Sequence, residues 1–342
     1  MSKVYLLGTM REKRIGRGED SDPILLTSSA DESLIVTGVL DGMGGAGSSE
    51  CESDFSTDRE NKTKAYVASR IIKEAIENFI TDSFSLILSN DFSTVLKERI
   101  KSRLSDEIKK FPPKSKSILR SALIKDYPTT LALTTIHSLE DNYCINSYWA
   151  GDSRNYLWTK NGFFQISKDD LKGNPDPLEN LKNDAPMSNC IHADGDFEIH
   201  NIRIDSIPVT EKIIILSATD GCFGYYPTPM DFEKVLRKTM KSSSSFEEWV
   251  IKLVREFEAV TGDDFSFAVA TVGFEYFRDL KKTLSKGDYL SQNYFRLKNT
   301  RDEVINIYKK LIGKLHRKIQ KEVSFIWPKY KKNYLKYLDS NE

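Results

Sequence analysis

Four short strings place carboxylates at separate points along this 342-residue chain: Asp41-Gly42-Met43-Gly44-Gly45, Gly151-Asp152-Ser153-Arg154, Thr219-Asp220-Gly221 and Asp263-Asp264-Phe265-Ser266. Asp41 follows the apolar run 34–40, Asp220 follows 213–219, and Asp263 stands just ahead of 265–272. A carboxylate at the end of a strand is held by rigid backbone. Several can converge only if positive charge offsets their repulsion. Oxygen-only donors of this kind suit Mg²⁺ or Mn²⁺, which keep several waters. The glycines after Asp41 let backbone approach a ligand where a Cβ would obstruct, and the Gly42 carbonyl can add an oxygen.

Other chemistries find little support. Cys51, Cys144, Cys190 and Cys222 are isolated, without the close pairing of zinc sites, so reduced thiols are expected. His137, His192, His200 and His316 have neither metal spacing nor a nucleophilic partner nearby in sequence. No stretch approaches the roughly 18 apolar residues of a membrane span, and the first residues are too short a run for a secretory signal. A cytoplasmic protein without membrane contact is the expectation.

The elements that must position the carboxylates are apolar, β-branched runs at 34–40, 131–137, 143–149, 212–218 and 265–272, with weaker candidates at 4–7 and 197–204. Ala68, Ile71, Ile72, Ala75, Ile76 and Phe79 recur at helical spacing, and 232–260 reads as two helices split by Ser242 to Ser245. Runs of strands alternate with runs of helices rather than in strict strand-helix units. This order predicts an α+β protein, an α/β/β/α sandwich of two mostly antiparallel sheets flanked by helices. Residues 48–62 read as a mobile loop and 84–125 as a helical elaboration broken at Pro112-Pro113.

After Phe274 the composition changes. From Glu275 onward there are 17 basic and 8 acidic side chains, although the whole chain has no net charge. The sequence therefore divides into a domain over 1–274 and a basic, helical C-terminal appendage over 275–342. In the appendage Val304, Tyr308, Leu311, Leu315 and Ile319 form one stripe, and Trp327, Tyr330, Tyr334 and Tyr337 form another. Aromatic residues interleaved with lysines can stack on nucleic acid. Docking of a helix on a protein is favoured here over nucleic acid.

Taken together, Arg17-Gly18-Glu19-Asp20, the Asp41 string, Pro128-Thr129-Thr130-Leu131-Ala132, the Asp152 string, Thr219-Asp220-Gly221 and the Asp263 string resemble, in order, the motifs of the metal-dependent PPM (type 2C) protein phosphatases. The resemblance spans about residues 1 to 274. It implies a serine/threonine phosphatase in which two metals share a bridging Asp and activate a water for in-line attack on phosphorus. By position, Asp41 would bridge, the Gly42 carbonyl would ligate one metal, and Asp220 and Asp263 would hold the other. Asp152 would support a third, weaker metal, and Glu19 and Asp20 would order metal-bound water. The partners implied are a phosphoprotein substrate and, through the appendage, a kinase or other protein.

Three departures from the family pattern stand out. Ile15 occupies the usual place of the phosphate-binding arginine, with Arg14 and Arg17 on either side as candidates. Met43 stands where eukaryotic members carry a His, as in many bacterial members. Gly224 replaces a frequent acidic residue. Gly224 and the displaced arginine motivate one alternative, a catalytically weak binding or signalling module; a metal-dependent hydrolase of small phosphate esters is a third reading.

Overall fold

The computed structural model describes residues 4–28, 34–56, 61–89, 91–112, 125–173, 176–183, 185–284 and 289–334. Its strands are β1 (Val4–Arg11), β2 (Ile24–Thr27), β3 (Leu34–Val39), β4 (Glu50–Cys51), β5 (Lys62–Thr63), β6 (Leu131–Ser138), β7 (Asn142–Ala150), β8 (Arg154–Thr159), β9 (Gly162–Gln165), β10 (His200–Pro208), β11 (Ile213–Ala218) and β12 (Phe265–Val272). Its α-helices are α1 (Lys64–Asp82), α2 (Phe92–Lys110), α3 (Pro177–Asn180), α4 (Asp220–Phe223), α5 (Pro229–Ser242), α6 (Phe246–Glu258), α7 (Phe277–Leu284) and α8 (Tyr289–Tyr334).

Ten strands form two five-stranded antiparallel sheets, ordered β1-β12-β11-β8-β9 and β10-β7-β6-β3-β2. Strands β3, β8, β11 and β12 are buried throughout their lengths. That is why they read as continuous apolar runs rather than as alternation. Between the sheets lies a layer of Ile35, Ile136, Ile145, Ile213, Ile215 and Val272. On the outer face of the second sheet, α1 packs Val67, Ile71 and Ile76 and α2 packs Leu96, Ile100 and Leu104. On the first, α5, α6 and α7 pack Phe232, Trp249, Leu253 and Leu280. The α/β/β/α sandwich expected from the sequence is therefore the observed fold.

Polar groups between the sheets pair across them. The Asn155 amide nitrogen donates to the Leu133 carbonyl at 3.1 Å and to the Ser147 hydroxyl at 2.9 Å, while the Ser217 hydroxyl donates to Asn155 Oδ1 at 2.7 Å. These satisfied groups fix the register of the two sheets.

The first compact unit is Met1–Lys286 and the second Gly287–Glu342. Helix α7 packs Phe277, Leu280 and Leu284 into the core, so the first unit continues beyond Phe274, where the composition changes. The expected mobile loop at 48–62 contains the short β4–β5 hairpin, with 57–60 outside the described residues. Of the elaboration at 84–125, a 3₁₀ turn at Phe84–Leu88 and α2 are described, and 113–124 is not. Among the described residues, no helix is long and apolar enough to cross a membrane.

Candidate metal centre

Asp41 lies two residues past the end of β3, and the Pro128-Thr129-Thr130 string ahead of β6 grips its backbone. The Thr130 amide and the Thr129 hydroxyl donate to the Asp41 carbonyl at 2.8 and 2.7 Å, and the Asp41 amide donates to the Thr130 hydroxyl at 3.2 Å. The Thr130 hydroxyl also lies 2.7 Å from that of Ser153, tying in the next motif. Gly42 leaves no room for a side chain, since a Cβ there would stand 2.5 Å from the Ala65 carbonyl oxygen and 2.6 Å from that of Glu19. At Gly44 a Cβ would meet a Glu19 carboxylate oxygen at 1.7 Å. The glycines after Asp41 thus admit Glu19 to the site.

Asp152 sits in the turn between β7 and β8, where Gly151 adopts φ +103°, a conformation suited to glycine. Two residues on, Arg154 donates through Nε and Nη2 to the two oxygens of Asp169 at 2.9 and 2.6 Å, and both side chains are 2 % exposed. The guanidinium also stacks on Phe223 at 4.3 Å. Arg154 is therefore a structural residue, and its charge is already matched.

Asp220 opens α4. The preceding Thr219 hydroxyl donates to Asp20 Oδ2 at 2.8 Å and accepts from the Ser266 amide at 2.9 Å, so one threonine joins Asp20 to β12. Asp20 is buried, and Asp41, Asp152 and Asp220 each keep a narrow open edge. With Arg154, Asp169, Asn180 and Gly224, Asp152 and Asp220 line a depression of about 330 Å³. Gly224, in place of the frequent acidic residue, leaves that part of the wall uncharged.

Burial and mutual repulsion raise all four carboxyls. Burial and then repulsion by Asp220 push Asp152 up to about 8. Burial and the charges of Asp20, Asp220 and Asp152 hold Asp41 well above the ordinary carboxylate range. Asp20 and Asp220 are raised as well, with burial the largest cause in each, and both are hydrogen bonded to Asp41. Buried like charges held this close favour one another's protonated forms.

Asp263 is exposed, and its charge is felt at both Asp220 and Glu19. Its Oδ1 accepts from the Asp264 amide at 2.9 Å. Glu19 is half-buried, and its carboxyl accepts from the Thr63 hydroxyl at 2.6 Å and is raised mainly by burial. Arg14 and Arg17 are both exposed on the loop between Lys13 and Glu19. Asp264 clamps that loop, one oxygen accepting from the Lys13 amide at 2.6 Å and the other from the Glu19 amide at 2.8 Å.

Among the described residues, no three acidic, His or Cys side chains already surround one point as a metal cage. The donor set nevertheless fits Mg²⁺ or Mn²⁺. It offers only oxygen, the repulsion within it is unrelieved, and these ions take one or two carboxylates and fill the rest with water. Asp41, Asp152, Asp220 and Asp263 would supply the carboxylates and Gly42 a carbonyl.

Sequence reading missed Asp169, Asp264, Thr219 and Arg70 as supports of this site. Arg70 donates to the Gly18 carbonyl at 3.0 Å and stacks on Tyr66 at 3.4 Å. The i, i+4 spacing of Tyr66 and Arg70 on α1 is a local signal for that stack. Thr219 and Asp264 stand inside motif strings, but their partners, and that of Asp169, lie far off in sequence and are met only in the fold.

No protein-family model and no curated protein matches the sequence. Solved structures do match. The serine/threonine phosphatase PstP/Ppp of Mycobacterium tuberculosis is 15% identical, with 80% of this chain and 100% of that chain covered at a TM-score of 0.53. The PstP catalytic domain in complex with two manganese ions gives 15% identity, 80% and 99% coverage and a TM-score of 0.50. The serine/threonine phosphatase Stp1 of Staphylococcus aureus gives 14%, 79% and 94%, and 0.51. The chain thus has the fold of the PPM-type serine/threonine phosphatases.

Proposed function

We propose that this chain is a cytoplasmic phosphatase that uses Mn²⁺ or Mg²⁺ to remove phosphate from phosphoserine and phosphothreonine in proteins. The observation that carries the proposal is the convergence of Asp20, Asp41, Asp152 and Asp220, drawn from the ends of two sheets, with the neighbouring Arg154 already matched by Asp169. Two bound cations would lower the pKa of a water toward neutrality and offset the charge of the phosphate.

The residues of the chain then have separate tasks. Asp41, which feels the charges of Asp20, Asp220 and Asp152, would supply carboxylate oxygens together with Asp220 and Asp263, the Gly42 carbonyl would add one more, and Asp152 would support a weaker site. Asp20 and Glu19, fixed by Thr219 and Thr63, would orient the solvent around the ions through hydrogen bonds. Arg14 and Arg17, on the loop clamped by Asp264, are the two candidates for gripping the phosphate oxygens. Met43 offers no proton, so the leaving group would draw one from the solvent in the site.

The test is phosphate release from a phosphothreonine peptide by wild type and Asp220→Ala, with Mn²⁺ or Mg²⁺ titrated against a chelator. Metal-dependent turnover in wild type, lost in the variant, is expected. Metal binding without turnover would favour a binding module of the same fold, and turnover of nucleotides in preference to phosphopeptides would favour a small-ester hydrolase.

A further inference from the structure

Helix α8 runs 46 residues from Tyr289 to Tyr334 and carries twelve lysines and arginines against three acidic residues. At about 100° per residue, Ile305, Ile312, Leu315, Ile319, Ile326 and Tyr330 fall within an arc of about 80°. These side chains are exposed, Ile312 by 61 % and Leu315 and Ile319 by 59 % each. Lys310, Lys314, Arg317 and Lys321 project from the opposite side, and Lys309 and Lys329 border the stripe. The side away from the stripe is thus predominantly basic, with Ile307, Phe325 and Glu303 interspersed.

That combination matches an apolar layer with a negatively charged surface. Ile305, Tyr308, Ile312, Leu315, Ile319 and Ile326 keep the three-and-four spacing that a coiled coil also uses, so charge rather than spacing selects the surface: twelve basic against three acidic residues repel a second copy of the helix and favour an anionic plane. Pro328 lies inside the helix near its end. Trp327 and Tyr330 add the aromatic rings that settle at the boundary between headgroups and acyl chains.

We propose that α8 lies along the surface of an anionic phospholipid bilayer and tethers the first unit there. This departs from the expectation drawn from sequence, which gave the appendage a protein partner and no membrane. The helix lies on the bilayer rather than across it, because its apolar residues form a stripe and not a continuous run.

The test is flotation of the full-length protein with phosphatidylcholine vesicles prepared with or without phosphatidylglycerol. Binding to the anionic vesicles is expected, falling as NaCl is added and by about fivefold for each of Lys314→Gln and Lys321→Gln. Ile312→Asp combined with Ile319→Asp should abolish flotation while leaving the melting temperature of the first unit unchanged. The proposal is overturned if the wild-type protein fails to float with anionic vesicles, or if flotation survives the double aspartate variant. Concentration-dependent dimerisation without vesicle binding, removed by the same variant in sedimentation equilibrium, would also overturn it and assign the stripe to a second copy of the chain. The assay does not depend on phosphatase turnover.

Discussion

Thr219 and Asp264 touch no substrate, yet they set the positions of the groups that would. Thr219 is bonded on one side to Asp20 and on the other to the Ser266 amide of β12, so removing its hydroxyl frees a buried carboxyl and unpairs an amide together. Thr219→Val is expected to weaken Mn²⁺ binding by about 10- to 100-fold, read by calorimetry, because supports of ligand-bearing groups carry that weight. An unchanged affinity would show that Asp20 needs no such hold. Gly44→Ala tests steric access: its Cβ would displace the Glu19 carboxylate, so turnover should fall while the melting temperature stays within a few degrees. The Asp residues of the site were legible in sequence because each stands in a recognisable string. Asp169 was not, because its meaning comes from Arg154, fifteen positions away and joined to it only by the fold.

Among the elements, those buried on both faces were the easiest to read, and β3, β6, β11 and β12 lie close to where the apolar runs placed them. Strand β8 escaped because it begins Arg154-Asn155, polar residues whose burial is offset by bonds to Asp169, Leu133 and Ser147 that no local pattern announces. Such a strand depends on those partners. Arg154→Ala would strand the Asp169 charge in the interior and should cost about 3–5 kcal/mol in urea unfolding. Arg154→Lys should rescue it poorly, since a lysine cannot reproduce the paired bonds. The start of α1 offers a milder case. Thr63 caps the helix by accepting from the Tyr66 amide at 3.1 Å, so Thr63→Ala should cost about 1 kcal/mol and also loosen Glu19.

For the whole molecule, the raised carboxyls make stability depend on pH in a definite direction. Asp152 holds its proton to about pH 8 in the folded chain against an ordinary value of 3.8, so between these values the folded state binds more protons than the unfolded. Stability should therefore fall as pH rises through that window, and the raised Asp20, Asp41 and Asp220 act in the same direction. In chelator, the melting temperature is expected to drop from pH 5 to pH 8, and Mn²⁺ should raise it more at pH 8 than at pH 5. A melting temperature that climbs with pH in chelator would contradict this account. The acids also belong to different layers, Asp41 following a strand of one sheet and Asp220 and Asp263 flanking strands of the other. An ion held among them would act as a rivet through the sandwich, so the slowest-exchanging amides of both sheets should gain protection together when metal is added.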